Sequence, residues 1–155
     1  MLPQLLEAWR TNDRINFFLI DRISPAGMKC SLSKRGGRNV VRQFAHLHNN
    51  RVYQLENRAR DLAEGLDKFA SDEEPSKAKL KKYLKASGKQ MEIFFEDCIA
   101  GRPKRRGFKK GVIAHLAYLI SHESHHRGSI LLTLKECGHK LDQKTQMSIW
   151  DWDRI

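Results

Sequence analysis

Cysteine is scarce in this chain, and its distribution excludes the structures that cysteines most often build. The 155 residues contain three cysteines, Cys30, Cys98 and Cys137, which are widely spaced and form no CxxC pair. An odd and scattered set of this kind excludes a disulfide framework and a cysteine zinc knuckle. We therefore expect the protein to act in a reducing compartment, the cytoplasm.

Long apolar segments are also missing. The first 20 residues include four charged side chains, which is atypical of a signal peptide. No apolar run approaches the roughly 20 residues that a membrane-spanning helix requires. The sequence also lacks the alternating patterns of β-strands, a glycine-rich phosphate loop and internal repeats. We expect no membrane segment, and we expect residues 1–155 to form a single domain.

Acidic residues are few relative to basic ones. There are 18 of them against 29 basic residues, which gives a formal net charge of +11. This excess favours encounters with anions and keeps nucleic-acid binding as an alternative function. The positive charges are dispersed over two helical segments and a basic connector at residues 102–110, and no recognition helix is identifiable. Nucleic acid is therefore not the expected partner.

Four amphipathic segments dominate what the chain does contain. Apolar residues recur at helical spacing from about 3 to 23, from 40 to at least 55, after 71–75 as far as 98, and from about 110 to 137. A short helix is predicted near residues 143–150. Asn12 and Asn16 lie on the inward stripe of the first segment, where each needs a hydrogen-bond partner. This pattern predicts an all-α fold, a four-helix bundle with a short C-terminal helix or tail.

Residues typical of helix starts and helix ends lie at the boundaries of these segments. Residues 24–27 are expected to end the first helix, and residues 71–75 are expected to begin the third. Asn39 is a predicted N-cap for the second helix. Trp150 and Trp152 in the tail are expected to cover one end of the bundle or a partner subunit.

A pair of histidines stands out in the last long segment. His122 and His126 are four residues apart, so on a helix they share one face and can bind a single divalent metal. The second helix offers a third ligand, either His46 or His48. Periodicity prefers His48, which lies on the apolar stripe, whereas His46 lies about 120° from it. Three histidines leave coordination positions open, as catalytic sites do, and they accept zinc, nickel, cobalt or iron.

Two better-known metal motifs share these residues, and the rest of the chain excludes both. The HExxH pattern of zinc proteases is satisfied by residues 122–126, with Glu123 as the base. The usual continuation of that motif and a strand to hold an extended peptide are absent. Ferritin-like di-iron bundles need one ExxH motif on each of two helices and two further glutamates. The two ExxH patterns of this chain, at residues 123–126 and 136–139, belong to one segment, and the second contains a glycine typical of a helix end.

Other polar residues near the motif have two possible roles each. Glu123 is expected either to orient a ligand histidine or to face solvent. Arg127 is expected either to anchor an anion or to pair with an acidic neighbour. Tyr53 and Tyr118 could donate hydrogen bonds near the site, but we expect them to pack in the core.

Three segments together resemble the DinB/YfiT-like superfamily. They are FAHLHNNR at residues 44–51, HESHHRG at 122–128 and CGHKL at 137–141. The resemblance extends to the helix order, the loop before the second helix and the tail with its two tryptophans. It implies a four-helix bundle, often dimeric, with a divalent metal bound by one histidine of the second helix and by the HxxxH pair. On this chain that implies His46 with His122 and His126. The family pattern thus opposes the periodicity argument for His48, and we follow the pattern.

The resemblance also implies a class of chemistry. Members with assigned activity are thiol-dependent S-transferases that use bacillithiol, mycothiol or glutathione, or metal-dependent hydrolases, and many members have no assigned reaction. We expect a metal-dependent transferase in which the metal activates a low-molecular-weight thiol toward a small-molecule substrate. The basic connector at residues 102–110 has two possible roles: it attracts the carboxylates of that thiol, or, as we expect, it is an ordinary solvated connector. The alternatives are a hydrolase that uses metal-bound water and a non-catalytic metal-binding or nucleic-acid-binding module.

Overall fold

Four long helices and three short ones make up the described part of the chain. The computed structural model describes residues 2–33 and 37–155, and it contains no β-strand in that part of the chain. The helices are α1 (Leu2–Arg22), α2 (Pro25–Met28), α3 (Val40–Arg58), α4 (Arg60–Ala63), α5 (Lys77–Ile99), α6 (Val112–Glu136) and α7 (Gln143–Ser148). The all-α prediction is confirmed, and α1, α3, α5 and α6 are the four predicted bundle helices.

The helix boundaries follow from local capping. Asn39 caps α3 as predicted, because its side chain accepts a hydrogen bond from the backbone N–H of Arg42. The predicted start of α5 at residues 71–75 was slightly early, since Ser76 is the N-cap. Residues 24–27, which were predicted to end the first helix, also begin the next one. Ser24 caps the single turn of α2, which begins with Pro25 at its first position.

Two apolar clusters fill the bundle, one toward each end. The first cluster includes residues from the second halves of α1 and α6 and from the first halves of α3 and α5. The second cluster includes residues from the first halves of α1 and α6 and from the second halves of α3 and α5. Representative members are Ile20, Phe44, Leu84 and Ile130 in the first cluster and Trp9, Leu55, Met91 and Leu119 in the second. This pairing makes α3 and α5 parallel to each other and antiparallel to α1 and α6. The connection at residues 59–76 must therefore run the length of the bundle, because it joins two parallel helices.

A buried polar layer separates the two apolar clusters. The Arg51 side chain of α3 is completely inaccessible to solvent, and the Glu123 side chain of α6 is 1% exposed. Arg51 Nε donates to Glu123 Oε1 at 2.6 Å, and Arg51 Nη2 donates to Glu123 Oε2 at 2.9 Å. Arg51 Nη1 donates to Asp13 Oδ1 of α1 at 2.8 Å and to the Leu84 carbonyl of α5. One guanidinium thus contacts all three of the other bundle helices.

Two asparagines of α1 also form hydrogen bonds with the buried carboxylate. Asn12 Nδ2 and Asn16 Nδ2 donate to Glu123 Oε2 at 2.7 and 2.8 Å, so their predicted burial is confirmed. Burial alone would raise the pKa of the Glu123 carboxyl, but the Arg51 guanidinium outweighs burial and lowers it. The carboxylate is therefore ionised, and the layer holds a charged pair in the core.

The polar layer predicts a large loss of stability on neutralising one partner. Glu123→Gln removes the negative charge and leaves the Arg51 charge buried, which costs about 3–5 kcal/mol of unfolding free energy. Glu56→Gln is the matched control, since Glu56 pairs with Lys68 at 2.8 Å on the surface, and we expect a change of less than about 1 kcal/mol. Urea denaturation measures both, and equal losses in the two variants would contradict the account.

Candidate metal centre

The polar layer determines where the histidines of α6 lie. Glu123 faces the core, and a helix turns about 100° per residue, so His122 is directed to the edge of the buried face. His126 follows one turn later on that edge, and both histidines are half-buried. On α3, His46 is half-buried between the buried residues Ala45 and Leu47. The three histidines therefore meet in the groove between α3 and α6.

The three rings are close enough to share one ion. One ring nitrogen from each of His46, His122 and His126 can be chosen so that all three lie within 4.8 Å of one another. The ring centroids are 5.4 Å apart for His46 and His122, 4.8 Å for His46 and His126, and 4.7 Å for His122 and His126. Nitrogens on a tetrahedral ion with bonds of about 2.1 Å lie about 3.4 Å apart. Small rotations of the side chains would shorten the separations of up to 4.8 Å to this distance.

The environment keeps these imidazoles neutral. Burial, followed by the charges of Arg38 and His122, lowers the pKa of His46 to about 4. Burial, together with His122 and His46, lowers the pKa of His126 to about 4. Burial also lowers the pKa of His122. A neutral ring has the lone pair that a metal ligand requires, so near neutral pH the three rings have the protonation state that metal binding would need.

His48, the alternative to His46, has other partners. It is 1% exposed, as its place on the apolar stripe predicted. Its Nδ1 lies 3.0 Å from Ser87 Oγ and its Nε2 lies 2.9 Å from the Asp67 carbonyl oxygen. Both ring nitrogens are therefore occupied between α3, α5 and the 59–76 connection, and the structure brings His46 to the HxxxH pair.

Several expectations for neighbouring residues were wrong. Glu123 neither faces solvent nor forms a hydrogen bond with a histidine of the cluster, since its oxygens accept from Arg51 and the two asparagines. Tyr53 and Tyr118 do not pack in the core, because they are 57% and 41% exposed. Tyr118 instead lies beside His122, with ring centroids 6.1 Å apart and the rings nearly parallel.

Arg127 and Arg105, an arginine of the basic connector, have internal partners. Arg127 Nη1 donates to Asn16 Oδ1 at 3.0 Å and lies 3.9 Å from Glu123 Oε2, which is the predicted pairing with an acidic neighbour. In the connector, Arg105 forms ion pairs with Asp61 and Asp97. The charge of this arginine is already balanced within the fold.

Sequence reasoning missed two cationic residues. Arg51, the last residue of the FAHLHNNR segment, was given no role, although a charged residue on an apolar stripe signals a buried partner. Arg38, just before the Asn39 cap, lies near the histidines, because its charge contributes to the lowered pKa of His46 and His126. No pattern in the sequence marked it, since its position depends on the fold of the preceding loop.

Comparison with models of protein families finds a match over nearly the whole chain. The model of the DinB family matches residues 1–152. No curated protein and no solved structure matches the chain. In addition, each helix in the described part of the chain is too short or too polar to span a bilayer.

The histidine cluster predicts metal stoichiometry in single variants. Alanine at His46, His122 or His126 removes one of three ligands, so we expect each variant to lose bound metal after gel filtration, as measured by elemental analysis. His125→Ala is the matched control, because His125 is exposed on the same turn of α6 and lies outside the cluster. His48→Ala should also retain the metal. Loss of metal from either control, or full retention in His126→Ala, would refute the assignment.

Proposed function

Because this chain belongs to the DinB family, we propose that it is a metal-dependent enzyme that activates a low-molecular-weight thiol and transfers it to an electrophile. His46, His122 and His126 would hold a divalent ion. The observation that carries the proposal is the convergence of three half-buried imidazoles, from two helices, within 4.8 Å. The thiol would be bacillithiol, mycothiol or glutathione.

The residues of the cluster fit a divalent ion. All three donors are neutral nitrogens, which suit zinc, nickel, cobalt and iron. A site with three protein ligands keeps room for an exogenous one, as catalytic sites do. When bound, the ion would supply Lewis acidity, which lowers the pKa of a coordinated thiol or water.

The surrounding residues hold and orient the ligands. Asn50 Nδ2 lies 3.4 Å from His122 Nδ1 and can donate a hydrogen bond to it. This contact from α3 limits the rotation of the His122 ring. The Arg51–Glu123 pair joins α3 to α6 immediately beside Asn50 and His122. Both helices that supply ligands are thereby tied together at the site.

Two further proposals concern the oligomeric state and the cellular location of the protein. We propose a homodimer, because Trp150 is 70% and Trp152 41% exposed in the tail, and large exposed aromatic side chains are typical of interfaces. We also propose a cytoplasmic location. The three cysteines are unpaired, as expected where low-molecular-weight thiols are abundant and reduced.

Thiol consumption by the metal-loaded protein tests the function. Protein loaded separately with zinc, nickel, cobalt or iron is incubated with each thiol and the electrophile monobromobimane, and the conjugate is measured by fluorescence. We expect metal-dependent turnover that chelation abolishes. The rate should fall about 100-fold or more in His126→Ala and stay unchanged in His125→Ala.

The alternative outcomes are distinct. Thiol-independent cleavage of amide substrates that requires the same three histidines would replace the transferase with a hydrolase. Metal binding that raises the melting temperature without either activity would favour a non-catalytic metal-binding module. Either result would overturn the transferase proposal.

A further inference from the structure

A cavity of about 460 Å³ adjoins the metal centre. It lies between the first half of α3 and residues 69–73, and His46 forms part of its wall together with Arg38, Arg42, Asn49 and Phe69. Cavities of roughly 300–1,000 Å³ hold small molecules in proteins. The shared His46 makes this cavity the space beside the centre in which a small substrate can lie.

The wall of the cavity carries positive charge that the protein itself does not balance. Arg38 is exposed, and among residues 2–33 and 37–155 no side chain forms an ion pair or hydrogen bond with its guanidinium. Arg42 is held in place, because its Nε and Nη2 both donate to the Ser71 carbonyl, at 3.0 and 2.6 Å. The acidic residue of the wall, Glu73, is paired with Lys79 at 2.6 Å.

The proposed ligands of the ion add to this excess of positive charge. Three neutral histidines leave both positive charges of a divalent ion unneutralised, and Arg38 is near enough to affect His46 and His126. Like charges at short range repel. An anion that binds to both the ion and Arg38 removes the repulsion between these two positive charges. The basic connector at residues 102–110 is not needed for this role.

We propose that Arg38 is a specificity-determining residue that binds a carboxylate of the substrate, so that the thiol used by this protein is an anionic, carboxylate-bearing one. This inference rests on the proposed function. The guanidinium presents a planar fork that matches a carboxylate, and its charge-assisted hydrogen bonds are about twice as strong as neutral ones. The cavity holds the carboxylate end of the thiol while the sulfur reaches the centre.

Two simple thiols of similar size test the inference on the cobalt-loaded protein. 3-Mercaptopropionate carries a carboxylate, and 2-mercaptoethanol carries a neutral hydroxyl in its place. Binding is followed by the sulfur-to-cobalt charge-transfer absorption, with affinities corrected for the pKa of each thiol. We expect 3-mercaptopropionate to bind about tenfold more tightly or better, the factor that one charge-assisted hydrogen bond supplies.

Variants identify the residue responsible. Arg38→Gln should abolish the preference and leave the affinity for 2-mercaptoethanol unchanged, and Arg38→Lys should restore part of it. Arg60→Gln is the matched control for losing one positive charge. Arg60 is exposed on α4, does not line the cavity, and should leave the preference intact.

The outcomes separate the two proposals. If neither thiol produces the absorption in the wild-type protein, the transferase proposal fails and the inference fails with it. If both thiols bind equally, or if Arg38→Gln keeps the preference, the inference alone is overturned. An equal loss of preference in Arg60→Gln would mean that overall charge, and not Arg38, determines the selectivity, which also overturns the inference.

Discussion

The Arg51 guanidinium has no contact with solvent, so its charge must be balanced inside the bundle. The Glu123 carboxylate balances it through two hydrogen bonds, and Asp13 provides a third from α1. Such a pair repays its desolvation only when the geometry is good and the remaining lone pairs are occupied. Asn12 and Asn16 supply those hydrogen bonds. The layer therefore specifies one relative rotation of the helices, a constraint that apolar packing alone imposes weakly.

The geometry of the histidine cluster, the candidate metal centre, depends on that rotation. With Glu123 inward, His122 and His126 lie at the edge of the buried face, where they are shielded enough to stay neutral and open enough to admit a ligand. Arg51 constrains α3 in the same layer, and His46 lies five residues before it, facing the groove. The histidine cluster and the core thus share adjacent residues, which explains why one short segment of α6 contains both the candidate ligands and the buried carboxylate.

Much of this could be predicted from sequence, because helical periodicity and capping are local. The four long helices and the Asn39 cap follow from patterns of a few residues. The choice between His46 and His48 could not be made from periodicity, since a stripe predicts burial and not ligation. His48 is buried as predicted but bonds Ser87 and Asp67, which lie far away in sequence. The position of Arg38 likewise depends on how the loop before α3 folds.

The most direct test of the account is anomalous X-ray diffraction from crystals of the cobalt- or zinc-loaded protein. The account predicts a single strong peak about 2 Å from one ring nitrogen of each of His46, His122 and His126. A peak beside His48, a peak on the surface away from the groove between α3 and α6, or no peak in crystals shown by elemental analysis to contain the metal would contradict it.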